Sequence, residues 1–278
     1  MRIACAQLLS GPDPDANLRL VRDYAERAAA EGANLVVFPE ATMASFATRS
    51  ASVAQPLDGP FATAVREIAG ELGLVLAVGM FTPGADADRP HNTLLVTGRG
   101  VEASYDKIHL FDVNDFAESD HVTPGYEPVL VEVGGLRLGL AICYDVRFPE
   151  LFKHYANHGA DAVLVPASWR SGEGRGEQWR AIVIARATDA TSYVVACDQA
   201  DARAHAELAR SKAPLGAGRS CIVGPLGDVL AEAGGEPDLI VADLDADTVA
   251  RARRAMPVLA NTRFHTVPPR DPDAVVLL

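Results

Sequence analysis

Short runs of apolar residues recur along the chain, each bounded by glycine, proline or aspartate, and longer amphipathic segments lie between them. The lengths and the β-branched content of the short runs predict strands at residues 3–9, 35–38, 74–78, 93–96, 129–133, 136–143, 162–165, 192–197, 220–223 and 239–244. The helical period of the longer segments predicts helices at residues 17–30, 61–72, 149–157, 177–190 and 245–255. This alternation of strands and helices indicates an α/β architecture.

The sequence shows no internal repeat, low-complexity tract or linker, so residues 1–278 are predicted to form a single domain. Residues 84–90 are polar and turn-rich, and residues 201–216 are irregular, so both segments are predicted to be surface loops. The tail from about residue 268 is rich in proline and aspartate, and it is predicted to pack loosely or against a partner subunit.

Composition narrows the class of protein. The chain is 49% hydrophobic and 22% charged, which is ordinary for a soluble globular protein. A net charge of −12 without a basic patch argues against a nucleic-acid partner. No apolar run approaches the ~20 residues of a membrane span, and no signal peptide is visible, so we expect a cytoplasmic protein without a membrane partner. The four cysteines lack the spacing of a disulfide scaffold or a zinc site.

Cys143 ends a predicted strand and is followed at once by Tyr144 and a predicted turn. Such a position projects the sulfur from the edge of a sheet and leaves the next backbone N–H free to bind an oxyanion. A thiol reacts as the thiolate, so it needs a base or a cation nearby. Cys143 is therefore a candidate nucleophile, and a small buried hydrophobic residue is the alternative interpretation. The other three cysteines lie inside apolar runs and are predicted to be buried and inert.

Glu40 follows an apolar run and Pro39, so its carboxylate is predicted at the carboxyl end of a strand, where α/β folds commonly place their sites. A partly desolvated carboxylate there suits a general base, whereas an isolated surface glutamate is the alternative. The same Phe-Pro-Glu tripeptide recurs at 148–150, but Glu150 falls in the first turn of a predicted helix, where the helix dipole explains an acid. We therefore favour Glu40 for the chemistry.

Lys107 stands among apolar and aromatic residues in the segment 105–111. A lysine in such a segment either extends its ammonium to water or has that ammonium fixed in place for a functional role. A fixed ammonium near Cys143 would favour the thiolate and stabilise charge that develops on a substrate carbonyl. His109 is a rival for acid–base work, but we expect a structural role for it because a glutamate and a lysine already supply the needed groups.

Together these segments resemble the amidase branch of the nitrilase superfamily of carbon–nitrogen hydrolases. The matching motifs are VFPE at 37–40, LDGP at 57–60, YDKIHLF at 105–111, ESD at 118–120, PG at 124–125, CYDVRFPE at 143–150, PASW at 166–169, Trp179, ARA at 185–187 and the strand at 220–224. The resemblance covers nearly the whole chain, and the glutamate, lysine and cysteine motifs occur in family order with their flanks.

The resemblance implies a four-layer α-β-β-α sandwich and a Glu-Lys-Cys triad. It implies that Glu40 is the general base, Lys107 the stabiliser of the oxyanion, and Cys143 the nucleophile. Glu118 matches a second glutamate that helps to position the lysine or the substrate amide, and the Tyr144 N–H would be the other oxyanion donor. It further implies that no metal or organic cofactor is needed and that the protein forms a homodimer or a higher homo-oligomer.

Two positions depart from the family pattern. Arg219 stands where many members have histidine in Gly-His-Ser, and Ala190 falls in a segment where Glu-Asn is common. Neither departure touches the triad, but both weaken any transfer of substrate identity.

A small linear amide is the implied substrate, and related amidases include ω-amidase and deaminated glutathione amidase, whose substrates carry a carboxylate far from the scissile bond. Arg170, Arg175 and Arg203 follow predicted strands and are candidates to clamp such a carboxylate, and Trp169 is a further candidate for substrate binding. Solvated loop arginines are the alternative.

Two other functions stay open. A nitrilase acting on nitriles would use the same triad, although Tyr144-Asp145 is more typical of amidases than the Trp-Glu usual in nitrilases. A catalytically silent scaffold that binds a small molecule is the second alternative, and the intact triad argues against it.

Overall fold

The structure is a computed structural model that describes residues 1–113, 116–204 and 213–264. Its strands are β1 (Arg2–Gln7), β2 (Leu35–Val37), β3 (Val75–Asp86), β4 (Arg89–Gly98), β5 (Val101–Asp106), β6 (Asp112–Val113), β7 (Phe116–Ala117), β8 (Leu130–Val133), β9 (Leu136–Leu140), β10 (Ala162–Ala167), β11 (Tyr193–Asp198), β12 (Cys221–Val223), β13 (Val229–Glu232) and β14 (Asp238–Asp243). Its α-helices are α1 (Pro14–Ala30), α2 (Pro60–Leu72), α3 (Pro149–Asn157), α4 (Arg175–Ala190) and α5 (Ala246–Ala255).

Two six-stranded sheets form the centre of the molecule. The first has the strand order β14-β1-β2-β3-β4-β5, and the second has the order β13-β12-β11-β10-β9-β8. In each sheet three neighbouring strands are parallel, β1 to β3 in the first and β9 to β11 in the second, and the remaining pairs are antiparallel. The two sheets therefore share one pairing pattern, although the sequence itself shows no repeat.

Alternate residues of each strand point to opposite faces of its sheet. Ala4 of β1 and Val36 of β2 pack with α1 and α2 in one apolar cluster. Cys5 and Val37, on the other face, belong to a second cluster that contains residues of the second sheet and of α3 and α4. The layers therefore run helices, sheet, sheet, helices, and the predicted α-β-β-α sandwich is confirmed.

The predicted helices agree with α1 to α5 to within three residues at each end, because proline, glycine and aspartate at the caps mark those ends in the sequence. The apolar-run criterion misses β5, β6, β7 and β13. In β5, for example, Val101, Ala103 and Tyr105 alternate with polar residues, so no continuous apolar run exists. The predicted loop at 84–90 is instead the tip of the hairpin that β3 and β4 form.

None of the helices in the described part of the chain combines the length and the apolar character that crossing a membrane requires. The tail from about residue 268, predicted to pack loosely or at a subunit interface, lies outside the described residues.

Candidate active site

A cavity of about 340 Å³ opens where β2, β5, β9 and β10 end. Its volume is in the range of small-molecule sites. The candidate residues that line it are Glu40, Lys107, Glu118, Cys143, Tyr144, Trp169, Arg170 and Arg175. The structure therefore brings together all the predicted catalytic and binding residues except Arg203, and His109, the rival for acid–base work, is also absent from the described lining.

Glu40 is held just beyond β2 by contacts to both sheets. A side chain at Gly79 of β3 would come within 2.6 Å of the Pro39 carbonyl oxygen, so the glycine lets the turn around Glu40 pack directly against β3. From the second sheet, Gln199 donates its Nε2 to the Glu40 backbone oxygen at 2.9 Å. These contacts fix the buried carboxylate before any substrate is present.

Lys107 follows β5 and carries a fully enclosed ammonium. Its Nζ donates to Glu40 Oε1 at 2.8 Å and to the two Glu118 oxygens at 3.1 and 2.9 Å. Burial by itself lowers the pKa of Lys107, but the negative charges of Glu118 and Glu40 outweigh that effect, and the pKa is raised well above its usual value. Lys107 therefore keeps its proton and serves as a cation rather than as a base.

Asn92 of β4 joins the two carboxylates, a role that the sequence analysis missed. Its Nδ2 donates to Glu40 Oε1 at 2.8 Å and lies 3.4 Å from Glu118 Oε1. Glu118, at the start of a short 3-10 helix, also accepts a hydrogen bond from the Phe111 N–H at 2.7 Å. The two carboxylates, the ammonium of Lys107 and these neutral donors make one buried network, which holds every member in place.

Cys143 begins a 3-10 helix, Cys143–Arg147, directly after β9, and its φ is +46°. A left-handed φ is uncommon for a residue with a side chain and marks a strained turn. Burial raises the pKa of the Cys143 thiol well above its usual value, and the charge of Glu40 raises it further, while Lys107 and the Ser168 N–H lower it. The thiol is therefore protonated in the resting protein and needs a base to react.

The backbone N–H of Ser168, just after β10, joins the second sheet to the Glu40 carboxylate. It donates to Glu40 Oε2 at 2.8 Å, and it lowers the pKa of Cys143. Glu40, Cys143 and Ser168 all line the cavity. The Tyr144 N–H lies in the first turn of the 3-10 helix, where N–H groups have no intrahelical partner, so it is available to an oxyanion.

Arginines surround the outer part of the cavity. The Arg147 guanidinium lies 4.9 Å from the centroid of the Trp169 ring and donates to Gln178 Oε1 at 2.9 Å. Arg175 donates to the same oxygen at 3.2 Å, and Arg170 also lines the cavity. Because the Gln178 amide is neutral, it fixes the two guanidinium groups without neutralising them. Arg147, which the sequence analysis did not single out, thus joins the two predicted arginines.

Arg203 is a correction to the predicted binding set. Its Nη2 and Nε bind the Asp201 carboxylate at 2.6 and 3.0 Å, and its backbone N–H donates to the same carboxylate at 3.0 Å. This local turn directs the guanidinium onto a neighbour two residues earlier. Arg203 is not among the described residues that line the cavity, so we exclude it from the candidate site.

The remaining residues discussed from the sequence make structural contacts. His109 hydrogen-bonds to Asp145 at 2.7 Å, Arg219 lies 3.6 Å from Glu232, and Ala190 is buried at the end of α4. None of His109, Arg219 and Ala190 lines the cavity in the described part of the chain. Among the residues that the structure describes, no cluster of three or more histidine, cysteine, aspartate or glutamate side chains is arranged to hold a metal ion.

Replacing Glu40 with glutamine is expected to separate the reactivity of Cys143 from amide hydrolysis. The substitution removes a negative charge that raises the pKa of the Cys143 thiol, so the pH midpoint of alkylation by iodoacetamide should fall. Hydrolysis should fall by about 10²–10⁴-fold, because the proton acceptor is lost. Alkylation rates across a pH series and ammonia release measure the two effects. A higher pH midpoint of alkylation in Glu40→Gln would contradict this assignment of charges.

Comparison with known proteins gives four informative matches. A family model described as carbon-nitrogen hydrolase matches residues 2–254. The chain is 51% identical over 268 residues to Hydrolase Rv0480c of Mycobacterium tuberculosis, and the match covers 94% of this chain and 95% of that protein. It is 33% identical over 276 residues to the deaminated glutathione amidase of Synechocystis sp., which covers 94% of this chain and 97% of that protein.

The fourth match is a solved protein, the amidase from Nesterenkonia sp. AN1, of the nitrilase superfamily. A Cys→Ala variant gives a TM-score of 0.75 at 30% identity and covers 92% of this chain and 95% of that chain. A Glu→Gln variant of the same amidase gives a TM-score of 0.74 at 30% identity, and the match covers 92% of this chain and 98% of that chain. Its structure shows the result of Michael addition of acrylamide at the active site cysteine.

Proposed function

This chain belongs to the carbon–nitrogen hydrolase family, as its motifs predicted, and we propose that it is a cysteine-dependent amidase that converts a small linear amide into a carboxylic acid and ammonia. The observation that carries the proposal is that the Glu40 carboxylate, the Cys143 sulfur and the Lys107 ammonium line one cavity, with Lys107 Nζ 2.8 Å from Glu40 Oε1. A proton acceptor, a nucleophile and a fixed cation in one cavity are what acyl transfer needs.

In the first half of the reaction, Glu40 accepts the proton of Cys143 while the sulfur attacks the amide carbon. The carbonyl oxygen becomes anionic and is bound by Lys107 Nζ and the Tyr144 N–H. The carbon–nitrogen bond then breaks as the nitrogen takes the proton from Glu40. Ammonia leaves, and a thioester with Cys143 remains.

In the second half, water gives a proton to Glu40 as its oxygen attacks the thioester carbon. The carbon–sulfur bond breaks, the carboxylic acid departs, and the sulfur recovers its proton. Glu118 keeps Lys107 aligned throughout, because both of its oxygens accept from the ammonium. The acrylamide adduct at the active site cysteine of the Nesterenkonia amidase supports a cysteine nucleophile for this chain.

Ammonia release from a panel of small linear amides and their matched nitriles tests the proposed activity. We expect turnover of amides that the Cys143→Ala variant lacks. Turnover of nitriles alone would replace the amidase by a nitrilase. If no compound is turned over and Cys143 stays unlabelled by iodoacetamide, the protein is a silent scaffold rather than an enzyme.

The arginines at the outer part of the cavity support an amide with a carboxylate at its far end. Arg170 and Arg175 line the cavity, and the neighbouring Arg147 is fixed against Trp169. Arginine is well suited to bind a carboxylate through two parallel hydrogen bonds. The similarity to the Synechocystis deaminated glutathione amidase is consistent with this substrate class.

Replacing Arg175 with methionine is expected to lower kcat/KM for the monoamide of succinic acid by about 10–100-fold, because a charge-assisted hydrogen bond is worth about 1.5–3 kcal/mol. Butyramide, which matches it without the carboxylate, should change little. Arg203→Met is the matched control, since its guanidinium binds Asp201 away from the cavity. Equal losses for both amides would remove the carboxylate from the proposed substrate.

We further propose a cytoplasmic homodimer or higher homo-oligomer. A reducing compartment keeps a reactive thiol such as Cys143 available. Sedimentation velocity should give a mass of at least twice the 29.4 kDa of one chain, and a stable monomer at micromolar concentration would contradict the assembly.

A further inference from the structure

Asp145 is a buried carboxylate with four hydrogen bonds. It is 0% exposed, although a carboxylate is costly to bury unless its charge is compensated. Oδ1 accepts from the His109 backbone N–H at 2.9 Å and from the His109 ring at 2.7 Å. Oδ2 accepts from the Tyr105 hydroxyl at 2.7 Å and from the Ile142 N–H at 2.8 Å. Both oxygens are thus fully engaged.

The four donors come from the two segments that carry the proposed chemistry. Tyr105 lies two residues before Lys107, and His109 lies two residues after it. Ile142 immediately precedes Cys143, and Asp145 follows it by two residues. One carboxylate therefore ties both flanks of the lysine to both flanks of the cysteine.

These contacts rule out a direct role for Asp145 in proton transfer. Asp145 and His109 are not among the described residues that line the cavity, so substrate does not meet them. Burial and the charge of Asp145 raise the pKa of the Tyr105 hydroxyl, so Tyr105 remains a donor to the carboxylate. The pair of Asp145 and His109 is closed off further by Phe148, whose ring stacks on His109 with centroids 3.6 Å apart.

We propose that Asp145 is a positioning residue that fixes the Lys107 ammonium and the Tyr144 N–H relative to the Cys143 sulfur; the inference rests on the proposed function. Lys107 and Cys143 follow strands of different sheets, so no backbone hydrogen-bond ladder sets their separation. The Asp145 carboxylate supplies that missing link. It also binds the Ile142 N–H at the start of the strained turn, which orients the next N–H groups toward an oxyanion.

The test is Asp145→Asn, which keeps the size of the side chain but places an NH₂ group against two of the four donors. We expect kcat to fall by about 10²-fold with KM within about threefold, because small misplacements of reacting groups have effects of this size. The pH midpoint of iodoacetamide labelling at Cys143 should rise, because a displaced Lys107 stabilises the thiolate less.

Tyr105→Phe is the second variant, since it removes one donor and keeps the carboxylate. It should lower kcat by about three- to tenfold and shift the labelling midpoint in the same direction. If Asp145→Asn does not fold, Tyr105→Phe tests the proposal by itself.

Arg253→Lys is the matched control for lost buried hydrogen bonds. Arg253 donates to the Ala160 and Thr191 oxygens and to Ser192 Oγ, which precede β10 and β11 at the end of the sheet opposite the cavity. This variant should lower the Tm without moving kcat or the labelling midpoint.

The outcomes separate the two proposals. If Asp145→Asn or Tyr105→Phe lowers the Tm but leaves both kcat and the labelling midpoint unchanged, Asp145 is only structural and the inference is overturned. If the unsubstituted protein hydrolyses no amide while the labelling midpoint still shifts in the variants, the proposed function fails and the positioning role stands.

Discussion

Alanine at position 143 is expected to reduce kcat/KM for the best amide by at least about 10⁴-fold, because loss of a nucleophile removes the covalent route and leaves only binding and the oxyanion donors. Alanine removes one sulfur atom and leaves no buried charge uncompensated, so the Tm should change little. Ammonia release with single-turnover sensitivity measures the loss. Intact-mass analysis after iodoacetamide treatment measures the accessible thiols.

The labelling experiment has an internal control. Cys5, Cys197 and Cys221 are each 0% exposed, so the native protein should take up one label and the Cys143→Ala variant none. Retention of most of the ammonia release by Cys143→Ala would overturn the proposed mechanism, whatever the labelling shows.

Methionine at position 107 is expected to have the second largest effect, on both activity and stability. Activity should fall by at least about 10²–10³-fold, since the variant lacks a principal oxyanion donor. The free energy of unfolding should fall by about 3–5 kcal/mol, because Glu40 and Glu118 would be left buried without the ammonium that compensates them. Chemical denaturation monitored by circular dichroism measures the second effect.

The pH dependence of this loss has a definite sign. The folded-state pKa of Lys107 is raised, so its contribution to stability is present at neutral pH and is lost only as the pH rises through that value. The unsubstituted protein should therefore exceed Lys107→Met in free energy of unfolding throughout the neutral range, and the difference should narrow only in alkaline solution.

A double variant, Lys107→Met with Glu118→Gln, separates the two consequences of losing the lysine. It removes one of the uncompensated carboxylates, so stability should recover in part while activity stays low. Full stability of Lys107→Met alone would contradict the buried charge network, and full activity would contradict the role of the ammonium.

The elements that the sequence predicts well are those whose ends carry a local signal. Pro149 starts α3 and Gly73 ends α2, and both ends agree with the prediction. By contrast, β5 is missed because apolar and polar residues alternate along it and leave no continuous apolar run. The pairing with β4 that stabilises it is a property of the tertiary structure. Local patterns therefore identify elements with a uniform environment better than those at sheet edges.

The same limit applies to the candidate site. Glu40 and Cys143 each follow a strand that the sequence predicts, and Lys107 stands out by the apolar and aromatic residues around it, so all three are visible in the sequence. Asn92 is not, because its amide acts through the register of β4 against residues far away in the chain. The Ser168 contribution comes from the backbone, so its residue type carries no signal.

Arg203 shows the opposite error. The residue type suited a carboxylate clamp, but Asp201 stands two residues earlier and offers a nearer partner. A short-range acid–base pair in a turn was available in the sequence and would have argued for a local contact. Candidate binding arginines are therefore better judged together with their immediate neighbours.

Glu40 and Lys107 follow strands of the first sheet, whereas Cys143 and Ser168 follow strands of the second. The groups proposed to carry out the reaction are thus divided between the two sheets. The apolar interface between these sheets, here called the seam, is where Cys5 of β1 contacts Cys197 of β11. Tightly packed interiors transmit small changes of side-chain volume. Substitutions in this seam are therefore expected to change the turnover rate without altering any group that contacts the substrate. Laboratory selection for faster variants should therefore find substitutions in this seam as well as in the cavity wall.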